Sequence, residues 1–226
     1  MKLLFGGSFN PVHIGHLLIA RDVLEDFNFE EVIFVPANVQ PLKGELLIPP
    51  EVRLKALKSA VEPESRFRVW DYELKKGGIS YTYQTLEEFH RVYGEEPVFM
   101  MGADSFKSFH LWKRPERILE LSKILIVSRP KEEINPEEIM KKLKLNIPVA
   151  RFKRGRVDST GWRVALYEGR LIEISSTEIR ERLKSGKPIS YMVPEKVEEI
   201  IRRWREDALQ SDVQEDDLKG RSTTGT

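Results

Sequence analysis

The 226-residue sequence contains no cysteine, which excludes disulfides, cysteine-ligated metal centres and thiol nucleophiles. It has no apolar run near the ~18 residues of a membrane-spanning helix, so a transmembrane protein is excluded as well. The opening Met-Lys-Leu-Leu-Phe reaches Gly6-Gly7 before any signal-like apolar core forms, and a cytoplasmic location is the expectation. Net charge is almost lacking: 37 Lys and Arg against 36 Asp and Glu leave +1. There is no overall electrostatic reason to bind nucleic acid or an anionic membrane, and neither is expected as a partner. The imbalance is local, because Asp207, Asp212, Glu215, Asp216 and Asp217 crowd the C-terminus and leave a modestly basic body. What is present is the 40% hydrophobic and 32% charged mixture of an ordinary water-soluble domain. A chain of this size buries about 70% of its extended surface on folding, enough for a core without cross-links.

Short apolar runs at residues 2–5, 32–35, 67–70, 98–101 and 124–127 read as strands buried on both faces. Between them Leu17, Leu18, Val23, Leu24 and Phe27, then Leu54, Leu57 and Val61, then Leu86, Phe89 and Val92 recur at helical spacing. This alternation predicts an α/β, Rossmann-like, doubly wound parallel sheet with helices on both faces. Further on, residues 135–145 read as a helix, 147–152 as a strand, 153–161 as a basic loop and 171–174 as a last strand. A Ser or Thr N-cap then opens a helix through Leu183, and Pro194 starts an amphipathic helix carrying Val197, Ile200, Ile201 and Trp204. The expected organisation is one domain over residues 1–205, with a small C-terminal helical subdomain at about 176–205, and a disordered acidic tail at 206–226.

The richest constellation follows the first strand: Gly6-Gly7-Ser8-Phe9-Asn10-Pro11-Val12-His13-Ile14-Gly15-His16. Paired glycines let backbone approach a ligand, and the N-terminus of the next helix offers N–H groups and partial positive charge to phosphate. His13 and His16, three apart, fall on one face of the first turn, where imidazole N–H groups can donate to phosphoryl oxygens. Gly15 leaves room for a flat ring beside the helix. From spacing alone, a helix cap and a surface histidine fit equally well. The dinucleotide pattern G-x-G-x-x-G is missing, which weakens a hydride-transfer reading, and no nearby carboxylate completes a metal site with the histidines. Elsewhere Asp104 follows a strand ending at Gly102, where open α/β sheets bind ligands, although a helix cap is an equal rival. Ser176 and Thr177 fit a plain N-cap, and Trp112 fits the core.

Gly-Gly-Ser-Phe-Asn-Pro-Val-His-Ile-Gly-His resembles the H-x-G-H motif of nucleotidyltransferases, and the chain over residues 1–204 resembles the bacterial nicotinate-nucleotide adenylyltransferases. The likeness runs in order through Pro36-Ala37 to Lys43, Arg53-Leu54, Gly78-Ile79-Ser80-Tyr81-Thr82 with Thr85-Leu86, Gly102-Ala103-Asp104-Ser105 with Trp112, Ser128-Arg129-Pro130, and Ile174-Ser175-Ser176-Thr177-Glu178-Ile179-Arg180. Leu42 stands where the family often has His, and Lys131 where Gly is frequent. Class I aminoacyl-tRNA synthetases share the histidine motif but are much longer. The resemblance implies transfer of the adenylyl group of ATP, with Mg2+ on its phosphates, to nicotinate mononucleotide. It implies His13, His16, Lys43 and Arg180 as the catalytic donors. Gly6, Gly7, Ser8, Phe9, Gly15, Gly102, Asp104, Ser176 and Thr177 would form the ATP site. Asn38, Tyr81, Thr82, Trp112 and Arg129 would hold the mononucleotide, with the Trp112 ring stacked on the pyridine. No residue is assigned to a protein-bound metal, and a homo-oligomer stays open. The alternatives are pantetheine-phosphate adenylyltransferase or a cytidylyltransferase on the same fold, and a non-catalytic dinucleotide sensor.

Overall fold

Neighbouring residues in an extended strand point to opposite faces, and in this protein each face finds its own hydrophobic layer. Leu3, Val32, Phe34, Val98, Met100 and Leu125 enter one layer, while Leu4, Ile33, Val35, Phe99, Met101, Ile124 and Ile126 enter the other. The computed structural model describes residues 1–41, 47–128, 133–158 and 161–222, with residue 209 and residues 211–222 as backbone only. In chain order its elements are β1 (Leu3–Gly7), α1 (Ile14–Asp26), β2 (Val32–Pro36), α2 (Pro50–Val61), β3 (Phe67–Val69), α3 (Tyr72–Lys76), α4 (Thr82–Tyr93) and β4 (Val98–Gly102). They continue as α5 (Ala103–Lys107), a 3-10 turn (Phe109–Leu111), α6 (Pro115–Leu121), β5 (Lys123–Ser128), α7 (Pro136–Lys142), β6 (Val149–Lys153), β7 (Val164–Glu168), α8 (Ser176–Lys184) and α9 (Glu195–Ser222).

Among the described residues seven strands form one parallel sheet in the order β3-β2-β1-β4-β5-β7-β6. Helices α1, α2, α8 and α9 cover the first face, through Ala20, Val23, Leu24, Leu57, Ile179, Leu183, Val197 and Ile201. Helices α4, α5, α6 and α7 cover the second, through Leu86, Phe89, Phe106, Ile118 and Ile139. From β1 the chain winds outward through β2 to β3 on the first face. It then crosses back on the second to lay β4 against β1. This is the doubly wound α/β fold that the sequence predicts.

One expectation fails. Residues 171–174 are not a strand, and the strand that enters the sheet is β7, Val164–Glu168. Leu171-Ile172-Glu173-Ile174 alternates like a strand, but Ile172 and Ile174 face a ligand-sized hollow while Leu171 and Glu173 face solvent. In β7, Ala165 and Leu166 are helix formers by propensity, so burial in the sheet decides the outcome. Helix α9 spans Glu195–Ser222. The segment beyond Arg205 has no proline to stop the helix.

Candidate active site

Crossovers on opposite faces leave a crevice at the carboxyl ends of β1 and β4, the place where open α/β sheets bind ligands. Two hollows of about 640 and 580 Å3 open there and share a wall made of Gly6, Gly7, Met101, Asp104 and Ser105. Each is of small-molecule size.

The first hollow is built by the turn between β1 and α1 and by the start of α8. A Cβ at Gly6 would lie 2.9 Å from the Phe99 ring, so only glycine lets β1 pass there. The chain then turns through buried Phe9, held at φ 43°, a left-handed conformation uncommon for a bulky residue. His13 is the N-cap of α1, and its backbone N–H donates to His16 Nδ1 at 3.2 Å. A ring nitrogen that accepts from the backbone leaves the proton of neutral His16 on Nε2, and His16 lines the hollow. The two imidazoles lie 3.7 Å apart, centre to centre, with planes 31° from parallel. A Cβ on Gly15 would come within 3.0 Å of the His13 ring and 3.2 Å of Ile172, so this glycine makes room for the histidine itself.

Helix α8 is locked onto the same turn. Ser175 caps it, its Oγ accepting from the Glu178 N–H at 3.1 Å. The Ser176 hydroxyl is thereby left to donate to the Pro11 carbonyl at 3.0 Å. Arg180 donates to the Asn10 carbonyl and to the Thr177 hydroxyl, each at 3.0 Å. Arg170 also lines this hollow and is held from behind by buried Asp22 at 2.6 Å.

The second hollow is walled by the N-terminus of α4, with Tyr81 as its N-cap, and by Trp112, which closes the 3-10 turn. The Trp112 ring is half-buried, its Nε1 directed at Ser108 Oγ at 3.4 Å. Glu73 reaches into the wall from α3, accepting from the Thr85 hydroxyl at 2.6 Å. Burial pushes its carboxyl above the usual carboxylate range, while hydrogen bonds from Thr85 and Ser80 and the nearby Lys76 pull the other way. Asp104 stands on the shared wall, exposed and 3.2 Å from Lys107.

Beneath both hollows lies Arg53, fully buried and paired with carbonyls in place of a carboxylate. It donates to Ile48 at 3.1 Å, Ser8 at 2.6 Å, Ala37 at 2.9 Å and Asn38 at 3.4 Å. Burial lowers its pKa to about 10, so it remains a cation at neutral pH and ties the β1–α1 turn to the segment after β2.

A model of the cytidylyltransferase-like family matches residues 4–182. Among curated relatives, a protein of Aquifex aeolicus strain VF5 is 44% identical over 179 residues, which are 79% of this chain and 100% of the relative. One of Hydrogenobaculum sp. strain Y04AAS1 is 38% identical over 197 residues, 87% of this chain and 93% of the relative. Both are named probable nicotinate-nucleotide adenylyltransferase. The chain belongs to that family. In solved structures the same fold occurs in the Plasmodium falciparum nicotinic acid mononucleotide adenylyltransferase complexed with NaAD, with a TM-score of 0.66 at 18% identity over 90% of this chain and 95% of that one.

Gly6, Gly7, Ser8, Phe9, His13, Gly15, His16, Gly102, Asp104, Ser176, Thr177 and Arg180 all line the first hollow, and Tyr81, Thr82 and Trp112 line the second. Asn38 lines neither. Its N–H donates to Ser80 Oγ at 3.0 Å and its amide to the Gly78 carbonyl at 2.9 Å, so it shapes the loop before Tyr81 from behind. Lys43 and Arg129 lie outside the described residues. Sequence reasoning missed Glu73 and Arg170 in the walls and the carbonyl cradle of Arg53. Glu73 sits in Tyr72-Glu73-Leu74-Lys75-Lys76, which reads as a solvated stretch too short to show a period. Among the described residues no group of three or more His, Asp or Glu is placed to hold a metal ion. No helix among them is long and apolar enough to cross a membrane.

Proposed function

We propose that this protein joins ATP to nicotinate mononucleotide by direct in-line transfer of the adenylyl group. An oxygen of the acceptor's 5′-phosphate forms a bond to the α-phosphorus, the bond from that phosphorus to the α–β bridging oxygen breaks, and pyrophosphate leaves. The products are nicotinate adenine dinucleotide and pyrophosphate. The observation that supports this most directly is the pair of hollows meeting at Gly6, Gly7, Asp104 and Ser105, one rich in phosphate donors and the other in aromatic and helix-terminus recognition.

A phosphate nucleophile is already ionised near neutral pH, so the reaction calls for positioning and charge stabilisation and not for a base. His13, His16 and Arg180 supply donors around the triphosphate, with Lys43 as a fourth. The α8 N-terminus adds Ser176 and Thr177, and a divalent ion, Mg2+ in our reading, arrives on the nucleotide as part of the substrate. Asp104, on the shared wall, accepts from ribose hydroxyls. In the second hollow Trp112 stacks on the pyridine ring, while the N–H groups that open α4 at Thr82 face its carboxylate. Arg129 completes the mononucleotide site in this scheme, and the cytoplasm supplies both substrates. Incubation with ATP, Mg2+ and nicotinate mononucleotide is expected to release the dinucleotide and pyrophosphate in equal amounts. With α-phosphorus-labelled ATP and no acceptor the protein stays unlabelled; label retained on denatured protein contradicts direct transfer.

A further inference from the structure

We infer that Glu73 sets the acceptor choice of the second hollow: its carboxyl admits a carboxylate-bearing acceptor while it carries a proton and turns against one when it does not. This rests on the reading of that hollow as the mononucleotide site. Glu73 is buried and lines the hollow together with Ser80, Tyr81, Thr82 and Trp112, so its charge state is felt where the pyridine substituent is recognised.

The hydrogen bonds show what holds this carboxyl. Thr85 donates its hydroxyl proton to Glu73 Oε1 at 2.6 Å. Ser80, whose Oγ accepts the Asn38 N–H at 3.0 Å, adds a smaller downward pull on the Glu73 pKa. Both partners are neutral hydroxyls, and among the described residues Glu73 makes no ion pair. A negative charge here is therefore supported by dipoles and by the charge of Lys76 without an ion pair, in a wall where burial is the largest influence and favours the protonated acid.

An acceptor carboxylate entering a hollow of about 580 Å3 meets either a neutral acid or a second carboxylate. Like charges at such range disfavour each other, so an ionised Glu73 opposes the nicotinate form. A carboxamide is neutral and carries N–H donors, which an ionised carboxylate accepts, so the nicotinamide form loses nothing by the same ionisation. The other charged or titratable groups lining this space are Tyr81 at the α4 N-cap, Asp104 from α5, and Lys113 and Arg114 ahead of α6, while Tyr72 and Lys76 of α3 interact with Glu73 electrostatically. The end of β1 brings Gly6 and Gly7, and the segment after β2 brings Ala37, Gln40 and Pro41, none of them charged.

The test is the ratio of kcat/KM for nicotinate mononucleotide to that for nicotinamide mononucleotide, followed from about pH 5 to about pH 9. Both acceptors carry the same phosphate and use the same ATP site, so ionisations there cancel in the ratio. In the wild-type protein the ratio is expected to fall with rising pH, by up to about tenfold per pH unit once Glu73 ionises. Glu73→Gln holds the ratio level across the range. Thr85→Val, which removes one of the hydroxyls that stabilise the anion, moves the fall to higher pH and serves if the glutamine variant does not fold. A flat wild-type ratio, or the same fall in Glu73→Gln, overturns the inference while leaving the adenylyltransferase reading intact. Turnover of neither acceptor overturns that reading and this inference with it.

Discussion

Arg53 and His16 show how single side chains set this site at two depths. Arg53 is a buried cation whose N–H groups are taken up by the carbonyls of Ile48, Ser8, Ala37 and Asn38. A lysine has a compact head and a flexible stem and cannot span that cradle, so carbonyls are left without donors in the core. Arg53→Lys is expected to lower stability by about 3 kcal/mol in denaturant titration; an unchanged midpoint contradicts the cradle. His16 stands at the surface of the first hollow, with Nδ1 engaged by the His13 backbone N–H and Nε2 as the donor. His16→Ala is expected to lower turnover about 10²–10³-fold with little change in melting temperature, the scale for removing one transition-state donor. Near wild-type turnover in the folded variant contradicts the catalytic role proposed for it. His16 was legible in the sequence because three-residue spacing fixes a helix face. The cradle of Arg53 was not, since no local pattern tells that Ser8 and Asn38 come together around one guanidinium.

At the level of elements, α8 matters less as a helix than as a clamp on the β1–α1 turn, through Ser176 to Pro11 and Arg180 to Asn10. Arg180→Ala removes the fork that donates to both Asn10 and Thr177, so it is expected to raise the KM for ATP and lower kcat together. A loss of thermal stability with intact kinetics would return this arginine to a structural tie. Among the described side chains the buried residues of α9, Val197 and Ile201, precede Arg205, and the fully matched Aquifex aeolicus relative leaves part of this chain without a counterpart. A protein ending at Arg205 is therefore expected to keep full activity and most of its stability; inactivity after this cut contradicts it. Strands β1, β2, β4 and β5 were readable because residues buried on both faces form largely continuous apolar runs, whereas β3 is a short edge strand with Arg68 exposed. The edge was harder to read. Residues 171–174 alternate for the sake of a hollow and not a sheet, and β7 is made partly of helix formers. Helices α3, α5 and α6 are each too short for a 3.6-residue period to show.

For the molecule as a whole, the doubly wound sheet explains why two unlike binding surfaces meet at one place. Crossovers on the first face bring the β1–α1 turn and α8, those on the second bring α4 and the turn carrying Trp112, and both sets converge on the crevice between β1 and β4. The near-zero net charge of the chain leaves attraction of anions to local arrangements, the helix N-termini and the donors His16 and Arg180. Two rigid half-sites sharing one wall suit a reaction whose main demand is that two anions be held in line. The most direct measurement is pyrophosphate release from ATP and Mg2+ with nicotinate mononucleotide, nicotinamide mononucleotide and pantetheine phosphate offered in parallel at neutral pH. Nicotinate mononucleotide is expected to give the highest kcat/KM, at least about a hundredfold above the nicotinamide form, because a site built to hydrogen-bond one group rejects its isostere strongly. Equal use of the two mononucleotides, preference for pantetheine phosphate, or no release with any acceptor would contradict the account.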